Sequence, residues 1–86
     1  MLNILIVDDE EPARNRLRRM VESLPGSVVA GEASSAFEAQ DKINNLDPDV
    51  VLLDISMPGM GGMELARILQ EQESSPAVIF CTAYQD

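Results

Sequence analysis

There is no histidine and no tryptophan in this chain of 86 residues. Histidine-based catalysis and histidine-ligated metal centres are therefore excluded. The single cysteine, Cys81, cannot make an internal disulfide. It lies in the apolar run Val78-Ile79-Phe80-Cys81 and reads as a reduced, buried small hydrophobe. Basic residues are few: six against fifteen acidic ones, a net charge of −9. Affinity for a phosphate backbone depends on Lys and Arg, so this segment is not expected to bind nucleic acid by itself. Arg14, Arg16, Arg18 and Arg19 cluster in one stretch, either as a docking patch or, the favoured reading, as the wet face of a helix. No apolar run approaches the roughly 20 residues of a membrane-spanning helix. Met1 leads straight into an apolar run without a basic leader or a small-residue cleavage site. The expectation is a soluble, cytoplasmic protein without a secretory signal. No Gly-x-x-x-x-Gly-Lys-Ser/Thr loop is present, and Gly59-Met60-Gly61-Gly62 does not follow a strand in the dinucleotide-binding pattern.

What is present is an alternation. Leu2 to Val7, Val50 to Leu53 and Val78 to Cys81 are almost continuously apolar, and Val28 to Ala30 is a shorter run of the same kind. Short runs without polar interruption suit strands buried on both faces. Between them, Ala13, Leu17, Met20, Val21 and Leu24 fall on one helical face, opened by Pro12 and stopped by Pro25-Gly26, with Arg14, Arg18 and Glu22 on the other side. Ser35 and Glu38 have capping-box spacing ahead of a second helix that is expected to bury Ala36, Phe37, Ile43 and Leu46 and to end at Asp47-Pro48. A third helix follows Gly61-Gly62, with Leu65, Ala66, Ile68 and Leu69 inward, and closes at Ser74-Ser75-Pro76. Strands alternating with helices predict one α/β domain with right-handed crossovers and a parallel sheet covered by helices.

The acids fall at informative places. Asp8, Asp9 and Glu10 follow the first strand, and Asp54 ends the third. Both places lie at the carboxyl edge of a parallel sheet, where such folds place ligands. Converging carboxylates raise one another's pKa, and a bound divalent cation removes that penalty. All-oxygen ligands with positions left for water favour Mg²⁺ over zinc or copper. An aspartate beside the cation can attack phosphorus and form an acyl phosphate. The plainer alternative is that Asp9 or Glu10 only caps the next helix. The Asp-x-Asp pattern of aspartyl phosphatases is missing, because position 56 is Ser56.

These features resemble the CheY-like receiver domains of two-component systems. The likeness is carried by Ile6-Val7-Asp8-Asp9-Glu10, by Asp54-Ile55-Ser56-Met57-Pro58-Gly59-Met60-Gly61-Gly62 and by Thr82-Ala83. Asp8-Asp9-Glu10-Glu11-Pro12-Ala13-Arg14 is similar to receivers that precede LytTR-type DNA-binding domains. The resemblance implies a flavodoxin-like, doubly wound sheet of strand order 2-1-3-4. It implies that Asp54 accepts a phosphoryl group from a sensor histidine kinase. Asp8, Asp9 and Asp54 and the backbone carbonyl of Ser56 would hold Mg²⁺. Thr82 would supply the switch hydroxyl, with Ala83 leaving room beside it, while Met57-Pro58 and Gly62 shape the covering loop. The domain would be a signalling switch, not an enzyme, promoting only its own phosphorylation and dephosphorylation. Its output would be a covalently linked domain, DNA-binding and transcriptional. The alternative is a receiver-like interaction module that is not phosphorylated. The family's fifth strand, with its lysine, and its last two helices would lie beyond residue 86, making 1–86 a partial receiver; Lys42, on the second helix, cannot stand in for that lysine. An unpaired edge at Val78 to Cys81 would then favour a homodimer or a strand-swapped oligomer.

Overall fold

The computed structural model describes residues 1–54, 62–71 and 76–81, with backbone only at Gly62 and Met63. The chain runs β1 (Leu2–Val7), α1 (Glu11–Glu22), β2 (Ser27–Ala33), α2 (Ala36–Leu46), β3 (Val50–Asp54), α3 (Gly62–Gln70) and β4 (Ala77–Cys81). All strand pairs are parallel, and the sheet order is β2-β1-β3-β4. This is the expected doubly wound arrangement. The chain steps from β1 to β2 on one side and then returns to place β3 on the other. The switch of direction therefore lies between β1 and β3.

Alternation along the strands builds two cores. Leu5, Val7, Val51 and Leu53 pack with Ala33, Ala36, Ala39, Ile43, Leu65, Ala66 and Leu69 on the face covered by α2 and α3. Ile4, Ile6 and Leu52 pack with Val21 on the α1 face, joined by the partly buried Leu17, Val29, Val50 and Cys81. Residues of one strand serve opposite layers because their side chains alternate. That is why these runs lack polar residues.

Several side chains differ from expectation. Phe37 stands exposed, and so do Met20, Leu24 and Leu46. The buried stripe of α2 is Ala36, Ala39 and Ile43. Phe37 follows Ala36 by one position, about 100° further round the helix, which turns it out of that stripe. The small alanines let α2 lie close to the sheet. Strand β2 extends to Ala33, past the polar break at Gly31-Glu32. Its register with β1 slips between Ile4 and Leu5, leaving Ala30 as the extra residue. Ser35 caps α2 as expected: its hydroxyl accepts the Glu38 N–H at 3.1 Å. The Glu38 carboxylate accepts the Ser34 N–H at 2.7 Å, one residue earlier than a standard capping box. Strand β4 is also less buried than its apolar run suggests, with Ile79 and Phe80 exposed. Among the described residues it pairs only with β3.

Candidate functional site

Strands β1 and β3 are adjacent, in register from Ile4↔Val50 to Val7↔Leu53. One step further along, Asp8 leaves β1 and Asp54 ends β3. Both residues are buried, at 6% and 5% exposure. Asp9, the next residue along, is exposed. One carboxylate oxygen from each of Asp8, Asp9 and Asp54 falls within 4.8 Å of the other two. The three acids thus meet at the topological switch point, two set into the sheet edge and one facing solvent. That is the place where open parallel sheets bind ligands.

The local backbone explains how the loop is held. The Asp8 N–H donates to the Ala33 carbonyl at 3.1 Å, extending the β1–β2 ladder by one residue. The Asp8 side chain accepts the Glu10 N–H at 3.0 Å, turning the chain toward α1. Glu10 is the N-cap of α1 but makes no side-chain cap hydrogen bond. Capping therefore does not account for the acid at position 10. Arg14, from the first turns of α1, donates to the Asp8 carbonyl at 2.7 Å.

Burial pushes the Asp8 carboxyl above its ordinary value, and the neighbouring charges of Asp54, Asp9 and Glu10 push in the same direction. The hydrogen bond from Glu10 opposes them. Cys81, opposite Asp54 in the β3–β4 register, lies near the same charges. Its thiol is pushed up, first by burial and then by Asp8 and Asp54. Cys81 packs against the α1-side core as a small hydrophobe, though half-buried and not fully buried as expected.

A hard divalent cation fits this donor set. The ligands are all carboxylate oxygen, Asp9 leaves the site open to water, and a cation offsets the repulsion that raises Asp8. The site is too rich in oxygen and too poor in nitrogen and sulfur to favour zinc or copper. Ser56 and Thr82, the other two site residues expected from the sequence, lie outside the described residues, as do Met57, Pro58 and Ala83.

Arg14 and Glu32 were not legible as part of this neighbourhood. Arg14 reads as the wet side of α1, yet its side chain is only 17% exposed and pairs with Glu32 at 3.3 Å. The signal was obscured because Glu32 follows a glycine beyond the apolar part of β2. Lys42 donates to the Glu32 backbone carbonyl.

The sequence profile of the response regulator receiver domain matches residues 4–86. The chain is 52% identical over 86 residues to the positive alginate biosynthesis regulatory protein of Pseudomonas aeruginosa, covering 99% of this chain and 35% of that protein. It is 38% identical over 84 residues to the sensory transduction protein LytT of Bacillus cereus, covering 98% of this chain and 34% of that one. The chain therefore spans about a third of the length of these relatives. Among solved structures it superimposes on the response regulator domain of Thermotoga maritima CheB with a TM-score of 0.86 and 31% identity, covering 100% of this chain and 63% of the other.

Proposed function

The chain belongs to the response regulator receiver domain family, and from that premise we propose that Asp54 is its phosphoryl acceptor and that Asp8 and Asp9 join Asp54 in holding Mg²⁺. The observation that carries this reading is the meeting of Asp8, Asp9 and Asp54 at the switch point between β1 and β3. A carboxylate oxygen of Asp54 attacks the phosphorus of the donor. The bond from phosphorus to the donor's leaving atom breaks, and an acyl phosphate remains on Asp54. Bound Mg²⁺ supplies orientation for the phosphoryl oxygens and neutralises their charge. Asp8 and Asp9 contribute the carboxylates that hold the cation beside Asp54. The Ser56 carbonyl as a further ligand and the Thr82 hydroxyl as the group that reports the phosphoryl charge rest on the family resemblance alone.

The donor in this reading is a sensor histidine kinase, and the phosphorylated domain biases a linked output domain that binds DNA. The length of the relatives supports a linked domain, since this chain matches only about a third of them. The test is mass spectrometry of the parent protein after incubation with acetyl phosphate and Mg²⁺. One added phosphoryl group on the wild type, absent from Asp54→Ala and from chelator-treated protein, is the expected result. Undiminished labelling of Asp54→Ala overturns the assignment. Mg²⁺ binding without any labelling favours the interaction module instead.

A further inference from the structure

Glu32, on the α1 face of β2, is a meeting point for cations. Arg14 Nε lies 3.3 Å from its carboxylate and Arg18 Nη2 lies 2.5 Å from it. Lys42 donates to its backbone carbonyl. Of these three, Arg14 is the one whose side chain also reaches the acidic loop, through the hydrogen bond from its Nη1 to the Asp8 carbonyl at 2.7 Å. Its backbone N–H donates to the Glu10 carbonyl at 3.1 Å. The Arg14 side chain thus holds the loop on the Asp8 side of Asp9 and anchors it to β2.

We propose that Arg14 is a positioning residue for the cation site, with Glu32 as its anchor, an inference that rests on the reading of Asp8, Asp9 and Asp54 as the Mg²⁺ ligands. The Asp8 carbonyl lies in the same rigid peptide plane as the Asp9 N–H. Fixing that carbonyl fixes the direction in which the chain enters Asp9. Asp9 needs such a constraint, because it is exposed and lies beyond the end of β1. Asp8 has the sheet edge and the Glu10 N–H to hold it. The planar fork of a guanidinium spans two acceptors in fixed directions, here the Asp8 carbonyl and the Glu32 carboxylate. A lysine ammonium is a point donor on a flexible stem and cannot reproduce that bridge. Arg18 provides an internal control: it shares the Glu32 carboxylate but bonds otherwise to Glu22.

The experiment is a Mg²⁺ titration of the full chain followed by backbone amide shifts, with melting temperatures recorded in parallel. Arg14→Lys is expected to bind Mg²⁺ about tenfold more weakly than wild type, as removal of an outer partner of a metal site typically does. Arg18→Ala is expected to keep wild-type affinity even where its melting temperature falls. Glu32→Gln, which loosens the anchor while leaving Arg14 in place, is expected to weaken binding by a smaller factor and serves if Arg14→Lys does not fold. Wild-type affinity in Arg14→Lys or in Glu32→Gln overturns the positioning role and leaves the cation site standing. An equal loss in Arg18→Ala does the same, since the effect then belongs to the ion-pair cluster in general. A wild-type chain that takes up no Mg²⁺ overturns the cation site and the positioning role together.

Discussion

Asp8 and Asp54 sit side by side at the ends of β1 and β3, one step beyond the paired Val7 and Leu53, and both are buried. An acid that loses hydration on burial and meets a like charge is costly to ionise. Asp8 carries that cost visibly: burial and the charge of Asp54 hold its carboxyl above the ordinary value.

Asp8→Asn is therefore expected to stabilise the metal-free protein near neutral pH. Asparagine Oδ1 can still accept the Glu10 N–H that Asp8 accepts at 3.0 Å, so the turn into α1 survives. The sign of the pH dependence follows from the raised carboxyl. The folded state holds the Asp8 proton to higher pH than the unfolded state does. The group's contribution to stability is present at acid pH and is lost as pH rises from the ordinary carboxylate value through the raised one. Melting curves of wild type and Asp8→Asn without metal should diverge across that window, the variant melting higher at neutral pH. A variant that melts no higher than wild type contradicts this account.

Mg²⁺ should reverse the order. A ligand that binds only the folded state stabilises it by about 1.4 kcal/mol at ten times its dissociation constant. Wild-type protein is expected to gain that increment and to lose it again on addition of a chelator. Asp8→Asn is expected to gain little. Asp9→Asn separates the two effects, because Asp9 is exposed and carries no burial cost. Its metal-free melting temperature should rise less than that of Asp8→Asn, since only its repulsion of Asp8 is relieved, while its Mg²⁺-dependent increment falls away. Differential scanning fluorimetry across a Mg²⁺ series checks all three chains.

Ser35→Ala tests the start of α2, which packs Ala36, Ala39 and Ile43 against the sheet face away from α1. The substitution removes the hydroxyl that accepts the Glu38 N–H at 3.1 Å. The loss expected for an N-cap of this kind is about 1 kcal/mol. Urea unfolding should show the midpoint falling without a change in slope. Mg²⁺ affinity should not change, because the cap bonds neither Asp8 nor Asp9.

Much of this organisation was legible in the sequence because strong local signals agreed with the global arrangement. The apolar runs of β1 and β3 have no alternative to burial on both faces, and an acid ending each run falls at the ligand-binding edge. The signals that failed were weaker or non-local. Phe37 is apolar but lies outside the stripe set by Ala36, Ala39 and Ile43, and small alanines advertise a buried face poorly. Strand β2 carries an extra residue and a Gly-Glu break, so only its first half reads as a strand. The link from Arg14 to Glu32 joins a helix to a strand segment that the apolar pattern did not reveal. Charge on a helix reads as solvent-facing until the partner that covers it is placed.

Two glycines make opposite predictions, and their comparison isolates backbone strain from packing. Gly26 has a φ of +83°, and a Cβ built there meets nothing within 4 Å. Its carbonyl accepts the Leu2 N–H at 2.8 Å, so the turn conformation is tied to the start of β1. Gly26→Ala gains no contact and places an L-residue in the left-handed region, at a cost of about 1–2 kcal/mol. Gly31 is not strained in this way. A Cβ there would lie 2.9 Å from Leu46 Cδ1 and at ordinary distance, 3.6 Å, from Leu5 Cδ1. Leu46 is the last residue of α2 and is 42% exposed, so the end of its side chain can move aside into solvent. Against that small shift, replacing glycine by alanine narrows the unfolded ensemble and returns about 0.4–1 kcal/mol. Gly31→Ala is therefore expected to be neutral or slightly stabilising, and Gly26→Ala clearly destabilising. Equilibrium urea unfolding of the two variants decides it: equal losses would mean that β2 tolerates no added side chain at Gly31 and that Leu46 is held more firmly than its exposure indicates.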